Sequence, residues 1–320
     1  MRFSVVIPVY NRPKFIKQAI ESVFAQTFKD FELIIMDDGS TDDTIEVLKS
    51  YNLPMKVFSQ AHQGGETARH NGARHAEGEY LVFLDSDDIL CSGALATYEH
   101  IIKECSSPPL IIGAWVTFMD GSPFPAEVVT APTSVEVSVY PDFLSKDIAM
   151  GLSNSLIVIR KSTLEKLGGP QRPPTNLFFD DFHLCFQAGT ESPCVVVRKP
   201  ITMAYRLHPN NVHQNPQGNV RAFLSVVDYE QRGGYPGGKA RRKERYLWIG
   251  SIGLHWIRKW LAARTPKYIY PLVRHGSPML AVASVKKLGK YMGISRSEPL
   301  LILNGKIESS DRRSKYATAV

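Results

Sequence analysis

The chain has 320 residues and a mass of 35.8 kDa, with 43% hydrophobic and 22% charged side chains. That is room for one large domain or two modest ones, apolar enough to bury a core without disulfides or a structural metal. The net charge of +7 points to an anionic partner: nucleic acid, a membrane surface or a phosphorylated ligand.

Residues 3–9 (FSVVIPV) form a short β-branched run that suits a strand buried on both faces. Asn11-Arg12-Pro13 ends it, and Pro13 suits the first turn of a helix. Phe15, Ile16, Ala19, Ile20, Val23 and Phe24 follow at helical spacing. Residues 31–36 (FELIIM) read as a second buried strand, ended by Asp37-Asp38-Gly39-Ser40. Ser40 and Asp43 have the spacing of a capping-box variant before Ile45, Val47 and Leu48. Residues 55–58 read as a strand, 68–76 as a helix and 80–84 as a fourth strand. This alternation predicts a parallel sheet covered on both faces, with ligands at the carboxyl ends of its strands.

Farther along, residues 110–119 and 155–160 read as strands, with a loop-rich insertion between them marked by Pro123, Pro125, Pro132 and Pro141. Residues 162–167 read as a helix stopped by Gly168-Gly169-Pro170, residues 180–188 as another helix and 194–197 as a strand. Between 237 and 292 stand thirteen Lys and Arg against one acid, Glu244. That segment carries +12 and leaves −5 for the rest. Within it, residues 241–261 read as an amphipathic helix. Ile249, Ile252, Gly253, Trp256, Ile257 and Trp260 lie near one face, and Ser251, His255, Arg258 and Lys259 near the other. Such a helix packs on the rest of the chain or lies in a membrane interface. No nucleic-acid motif accompanies the charge, which argues against that partner. The tail from Ser309 is polar and is expected to fray.

Cys91, Cys105, Cys185 and Cys194 form no C-x-x-C pair and no zinc spacing, which suits free thiols in a reducing compartment. No signal peptide is recognised, and no apolar run reaches the ~18 residues of a membrane span. The expectation is a cytoplasmic protein whose membrane contact, if any, is peripheral at the inner face.

Acids cluster directly after two predicted strands, as Asp37-Asp38 and Asp85-Ser86-Asp87-Asp88. Like charges this close repel unless a cation or donor compensates. Oxygen ligands at this density suit Mg²⁺ or Mn²⁺ shared with substrate phosphates. Helix capping is the plainer reading for Asp42 and Asp43, and it stays open for Asp180 and Asp181 at the start of their helix. The chain has no G-x-G-x-x-G and no G-x-x-x-x-G-K-[ST], which argues against dinucleotide oxidoreductases and P-loop NTPases.

These motifs resemble family 2 glycosyltransferases. VVIPVYNRPKFIKQAIESVFAQTFKDFELIIMDDGSTDDT is similar to the start of that family, and ARHNGARHAEGEYLVFLDSDD to its second signature with the Asp-x-Asp metal motif. LGG, FFDDFHLCFQAG and YRLHPNN resemble its acceptor half. These signatures stand in order over residues 3–215.

The resemblance implies a GT-A fold: an α/β, Rossmann-like, mostly parallel sheet with helices on both faces. The catalytic domain would span 1–215, with a nucleotide-sugar half over about 1–119 and an acceptor half over about 120–215. A basic, mainly helical extension would follow over 216–320. The resemblance also implies residue roles. Pro8 and Tyr10 would line the nucleobase pocket, and Asp38 would accept a hydrogen bond from the base. Arg69 would lie near ribose and diphosphate, and Asp85 would contact ribose or a metal-bound water. Asp87 would ligate Mn²⁺ or Mg²⁺, and His208 would approach the metal or the diphosphate. Asp181 would be the catalytic base, with Asp180, where relatives often have Glu, counted among the substrate-binding residues. His70 and Gln187 depart from the pattern, at positions where Asn and Arg are frequent.

The implied reaction is inverting, metal-dependent sugar transfer from a nucleotide-sugar, with UDP usual in relatives. The implied acceptor is a glycan or lipid-linked molecule of cell-envelope polysaccharide synthesis, with residues 239–290 as a candidate contact for an anionic membrane. Two other readings compete. A nucleotidyltransferase would carry a Gly-rich, basic loop after the first strand, where this chain has Tyr10-Asn11-Arg12-Pro13. An inactive sugar-nucleotide-binding or membrane-scaffold protein would show eroded acidic motifs, yet Asp38, Asp87 and Asp181 all stand.

Overall fold

The computed structural model describes residues 1–128, 134–146, 152–167, 180–211, 214–291 and 300–303. β1 (Phe3–Val9), β2 (Phe31–Asp37), β3 (Met55–Ser59) and β4 (Tyr80–Phe83) run parallel in the order β3-β2-β1-β4. Helices α1 (Pro13–Phe24), α2 (Thr44–Ser50) and α3 (Gly65–Arg74) connect them. Side chains alternate between two cores, as a period of two requires. Val5 and Ile7 pack with Ile16 and Ile20 of α1, while Val6 joins Ala73 of α3 on the other face. All seven β1 residues are buried, which explains the unbroken apolar run. Pro8 is tolerated because β4 ends opposite Val6 and asks for no N–H there. The chain moves from β1 out to β3, then returns to the other side of β1 at β4. That reversal leaves a crevice at the strand ends.

β5 (Ile89–Leu90), α4 (Ala94–Glu104), β6 (Leu110–Ile112), β7 (Trp115–Met119), β8 (Val135–Tyr140) and β9 (Ile157–Arg160) come next. They are followed by α5 (Lys161–Lys166), α6 (Asp180–Gln187), β10 (Cys194–Lys199) and β11 (Met203–Leu207). With β12 (Leu300–Leu303) the main sheet reads β12-β8-β10-β6-β9-β4-β1-β2-β3, and β5-β11-β7 form a second, smaller sheet. The strand expected over 110–119 is therefore two strands in two sheets. The chain changes sheet at Gly113, where a Cβ would stand 2.5 Å from Thr202 Oγ1. The loop-rich insertion contains β8, whose VEVSVY alternates as a strand does. The capping box over 40–43 does not form. Asp42 Oδ1 accepts from the Thr44 N–H, while Ser40 Oγ accepts from the Asn11 N–H. The expected stop at Gly168-Gly169-Pro170, Pro132 and the tail from Ser309 lie outside the described residues.

Three helices follow: α7 (Pro216–Gln231), α8 (Arg242–Ala262) and α9 (Ile269–Tyr291). α7, not foreseen from periodicity, starts on Pro216 with Asn215 Oδ1 capping the Gly218 N–H. The apolar face of α8 is buried: Ile249, Ile252, Trp256 and Trp260 share one core with Val6, Phe83 and Phe186. Gly250 lets α9 close in, since a Cβ there would meet the Met279 carbonyl oxygen at 2.0 Å. Two of the basic residues are tied into the fold. Arg241 pairs with Asp142, and buried Arg245 grips Glu230 through Nε at 2.5 Å. Arg258, Lys259, Arg264, Lys267 and Arg274 are exposed.

Candidate active site

A cavity of about 750 Å³ opens at the carboxyl ends of β1, β2 and β4. Pro8, Tyr10, Asp38, Arg69, Asp85, Asp87 and Asp181 all line it. Local backbone chemistry shapes the first wall. Asn11 takes φ +51°, a left-handed conformation that Asn tolerates, and its Oδ1 accepts from the Thr41 N–H. This ties the turn after β1 to the turn after β2. Gly39, at φ +77°, lets residues 60–62 pass close by.

Asp38 is 1% exposed, and its carboxylate holds the 60–64 loop in place. Oδ1 accepts from Gln60 Nε2 at 2.7 Å and the Gln63 N–H at 2.9 Å. Oδ2 accepts from the Gly64 N–H at 2.8 Å and meets His62 Nδ1 at 2.9 Å. Four donors fill a carboxylate's lone-pair directions, so a nucleobase reaching Asp38 must displace one. The His62 ring also stacks on Tyr10 with centroids 4.0 Å apart. Gln63-Gly64-Gly65 leads into the N-terminus of α3 at the cavity wall. The positive helix end there suits a phosphate.

The acids after β4 have separate surroundings. Arg69 Nη2 donates to Asp85 Oδ1 at 2.7 Å. Asp87 Oδ2 lies 2.8 Å from His208 Nε2 and 3.9 Å from Arg12 Nη2. Burial opposes its charge, but the His208 hydrogen bond and the Arg12 guanidinium hold its carboxyl below the usual carboxylate range. Asp88 faces away into the protein. Ser155 Oγ donates to it at 2.6 Å and the Arg206 N–H at 3.2 Å. Burial, with the charges of Asp87 and Asp85, pushes Asp88 well above its ordinary range.

Among the described residues no three His, Cys, Asp or Glu side chains form a ready metal cage. Mg²⁺ and Mn²⁺ do not require one. Such ions commonly take one or two protein ligands and complete the shell with water and phosphate. Bonds of about 2.1 Å at right angles put neighbouring donors about 3.0 Å apart, close to the Asp87–His208 spacing. The pair therefore fits, with one condition. The Asn210 N–H donates to His208 Nδ1, which leaves the ring proton on Nε2. Ligation through Nε2 requires that proton to move.

Asp181 stands in the first turn of α6 and lines the same cavity. It is 7% exposed, and its Oδ1 accepts from the Phe182 N–H at 2.7 Å. The side chain of Asp180 lies outside the described residues. Tyr205 stands between the two acidic groups. Burial and the charges of Asp88, Asp85, Asp87 and Asp181 keep its phenol protonated far above neutrality.

Several lining residues escaped the sequence reading. Arg12, which from sequence only helps end β1, lines the cavity from the turn before α1. Trp115 and Tyr205 reach the cavity because β7 and β11 form a second sheet beside it. Ile252, His255, Trp256 and Lys259 reach it from α8, about seventy residues after Asp181 in the chain. Arg206 braces the acidic turn from behind. Its Nε donates to the Asp87 carbonyl at 2.8 Å, Nη1 to Asp120 at 3.1 Å and Nη2 to Gln18 at 2.6 Å. The guanidinium lies between the rings of Phe15 and Phe118. The signal available for it was its place in YRLHPNN.

Residues 4–121 match the model of "Glycosyl transferase family 2". A GalNAc(5)-diNAcBac-PP-undecaprenol beta-1,3-glucosyltransferase from Campylobacter jejuni is 38% identical over 117 residues, covering 32% of this chain and 38% of that protein. The chain spans only 15% to 38% of the length of the curated relatives it matches first. A solved structure of S. aureus TarS 1-349 in complex with UDP-GlcNAc aligns over 90% of this chain and 92% of that one, at 17% identity and a TM-score of 0.57. The mannosyltransferase PcManGT from Pyrobaculum calidifontis, in complex with GDP-Man and Mn²⁺, aligns over 92% and 81%, at 17% identity and a TM-score of 0.50. The fold is that of the GT-A enzymes. Over residues 4–121 the chain is similar in sequence to glycosyltransferase family 2.

Proposed function

We propose that the chain is an inverting, metal-dependent glycosyltransferase that moves a sugar from a nucleotide-sugar, a UDP-sugar, to a glycan or lipid-linked acceptor of the cell envelope. One observation carries the reading: Tyr10, Asp38, Arg69, Asp85, Asp87 and Asp181 converge on one cavity from five different segments. The UDP-GlcNAc bound to TarS supports the donor class, and the name of the Campylobacter relative supports a lipid-linked acceptor. The division we propose is a donor half over about 1–119, an acceptor half over about 120–215 and a basic extension over 216–320.

Asp87 and His208 would hold Mn²⁺ or Mg²⁺, whose charge offsets that of the departing diphosphate. Arg12 and Arg69 add fixed positive charge on the same side. Tyr10 supplies a stacking surface for the base, and Asp38 fixes the loop beside it. Asp85 orients Arg69 and faces the ribose. Asp181 takes the proton of the acceptor hydroxyl as it attacks the anomeric carbon opposite the leaving group. Such general-base help is worth about 10²–10⁴-fold. Asp180 joins it on the acceptor side.

The exposed cations Arg258, Arg264, Lys267 and Arg274 stand near exposed Leu261, Tyr270 and Val273 on α8 and α9. We read this face as a peripheral contact with an anionic inner leaflet. No described helix is long and apolar enough to cross a membrane.

The test is a donor screen on the purified protein, following nucleoside diphosphate release with Mn²⁺ or Mg²⁺. Release from a UDP-sugar that stops in Asp87→Ala is the expected result. Full activity in that variant would remove the metal assignment, and silence with every donor would remove the enzyme reading. Flotation with phosphatidylglycerol vesicles should show salt-sensitive binding, and its absence at low salt would end the membrane reading.

A further inference from the structure

The cavity has walls of different character. The strand-end wall carries Asp85 and Asp87, and Glu66 of α3 and Asp181 of α6 line the same space. A further wall comes from α8, which sends Ile252, His255, Trp256 and Lys259 into that space. Trp256 is 6% exposed and anchored in the core, stacked on Trp260 with centroids 5.7 Å apart. Lys259 lies over the Trp256 ring, its ammonium 4.8 Å from the centroid. Among the described residues Lys259 and its neighbour Arg258 form no ion pair with a carboxylate, although Arg241 and Arg245, earlier in the basic segment, each form one. Desolvation bears on Lys259 and disfavours its charge in the free protein. An anion beside it offsets that penalty. Trp115, Tyr205 and Phe182 give the space between the walls flat apolar faces of the kind sugar rings stack on.

We infer that the α8 wall is an acceptor subsite for an anionic saccharide, with Lys259 pairing to its phosphate or carboxylate and Trp256 backing the ring. This rests on the glycosyltransferase reading for the word acceptor, not for the binding itself. The physical reason is one of sign. A negatively charged acceptor approaching Asp181 and Asp87 is repelled, and a cation from α8 in the same cavity offsets that repulsion and sets the orientation. The extension then determines which acceptor is taken, and the strand ends determine the donor.

The experiment titrates full-length protein with one hexose in three forms: the 1-phosphate, the uronic acid and the neutral methyl glycoside. Tryptophan fluorescence is the readout, since Trp115 and Trp256 line the site. UDP binding with Mn²⁺ is measured in parallel by calorimetry. The anionic forms should bind more tightly than the methyl glycoside by about two- to fivefold, the scale of one exposed ion pair. Lys259→Met keeps an apolar stem over Trp256 and should erase that preference. Lys259→Arg should restore it, and UDP binding should be the same in all three proteins. The favoured anion, 1-phosphate or uronate, identifies the acceptor's charged group. Equal binding of charged and neutral forms overturns the inference. So does loss of UDP binding in Lys259→Met, which would assign Lys259 to the donor diphosphate. If UDP fails to bind wild type while the Lys259-dependent preference persists, the enzyme reading falls and the anionic subsite stands.

Discussion

Arg206→Met separates the charge of this side chain from its bulk. Methionine keeps a long apolar stem between Phe15 and Phe118 but donates nothing. The Asp87 carbonyl, Gln18 and Asp120 each lose a donor. Asp120 keeps Lys14 at 3.1 Å, and Gln18 is half-buried, so both recover part of the loss. The Asp87 carbonyl faces a 2%-exposed side chain and recovers least. An orphaned buried acceptor costs about 1–3 kcal/mol, and removing a buried guanidinium returns some desolvation energy. The expected net loss is about 2–4 kcal/mol. At about 2.1 cal/mol/K per residue, unfolding 320 residues carries roughly 0.67 kcal/mol/K, so Tm falls by about 3–6 °C. Differential scanning calorimetry measures that shift. A loosened Asp87 turn should also raise the Mn²⁺ concentration for half-maximal turnover by about tenfold, the usual cost of losing a bracing contact behind a metal ligand. A Tm within 1 °C of wild type, together with unchanged Mn²⁺ dependence, would refute the bracing role.

Asp181→Asn should keep UDP affinity in calorimetry and lose transfer by about 10²-fold or more; unimpaired transfer would move the base elsewhere. Burial opposes the charge of Asp142, but Arg241 and the Ser145 N–H hold its carboxyl below the usual range, with Arg241 Nη2 at 2.8 Å. A depressed native pKa stabilises above the unfolded value near about 3.9 and is lost as pH falls through the native one. The stability gap between wild type and Arg241→Met in urea should therefore be constant above about pH 5 and shrink in acid. A gap still undiminished at the lowest pH that leaves the protein folded would count against the pair. Gly72→Ala would put a Cβ 2.7 Å from Val6 Cγ1 and 3.3 Å from Met36 Cβ, where α3 lies on β1 and β2. It should destabilise by about 1–3 kcal/mol, read from urea midpoints, and a neutral result would mean that α3 can lift without cost.

Much of the strand-end side of the cavity was legible in the sequence because its elements are local. The runs at 3–9, 31–37 and 80–83 are buried on both faces, so composition alone marks them as central parallel strands. Their acids stand at strand ends, and strand order then brings Asp38, Asp85 and Asp87 together without further information. The apolar face of α8 was legible too, through its period of 3.6, but not what would cover it. What covers it is the main core, because Trp256 and Ile252 complete a surface that the sheet and α6 leave open.

Tertiary structure alone decided the rest. β5 and β11 are short, and β7 alternates weakly, so the small sheet has no signature until its strands pair. That pairing brings Tyr205 to the acids and Arg206 behind them. The amphipathic pattern of α8 said which residues go inward, and only its docking put Trp256 and Lys259 in the cavity of Asp181. The net charge of +7 divides in the same way. Sequence located the basic segment, and the fold ties Arg241 and Arg245 into ion pairs while leaving Lys259 at the cavity and Arg258, Arg264, Lys267 and Arg274 exposed on the surface. Local pattern fixes what a residue is next to along the chain. Long-range packing decides what it faces, and it is what a side chain faces that sets its chemistry.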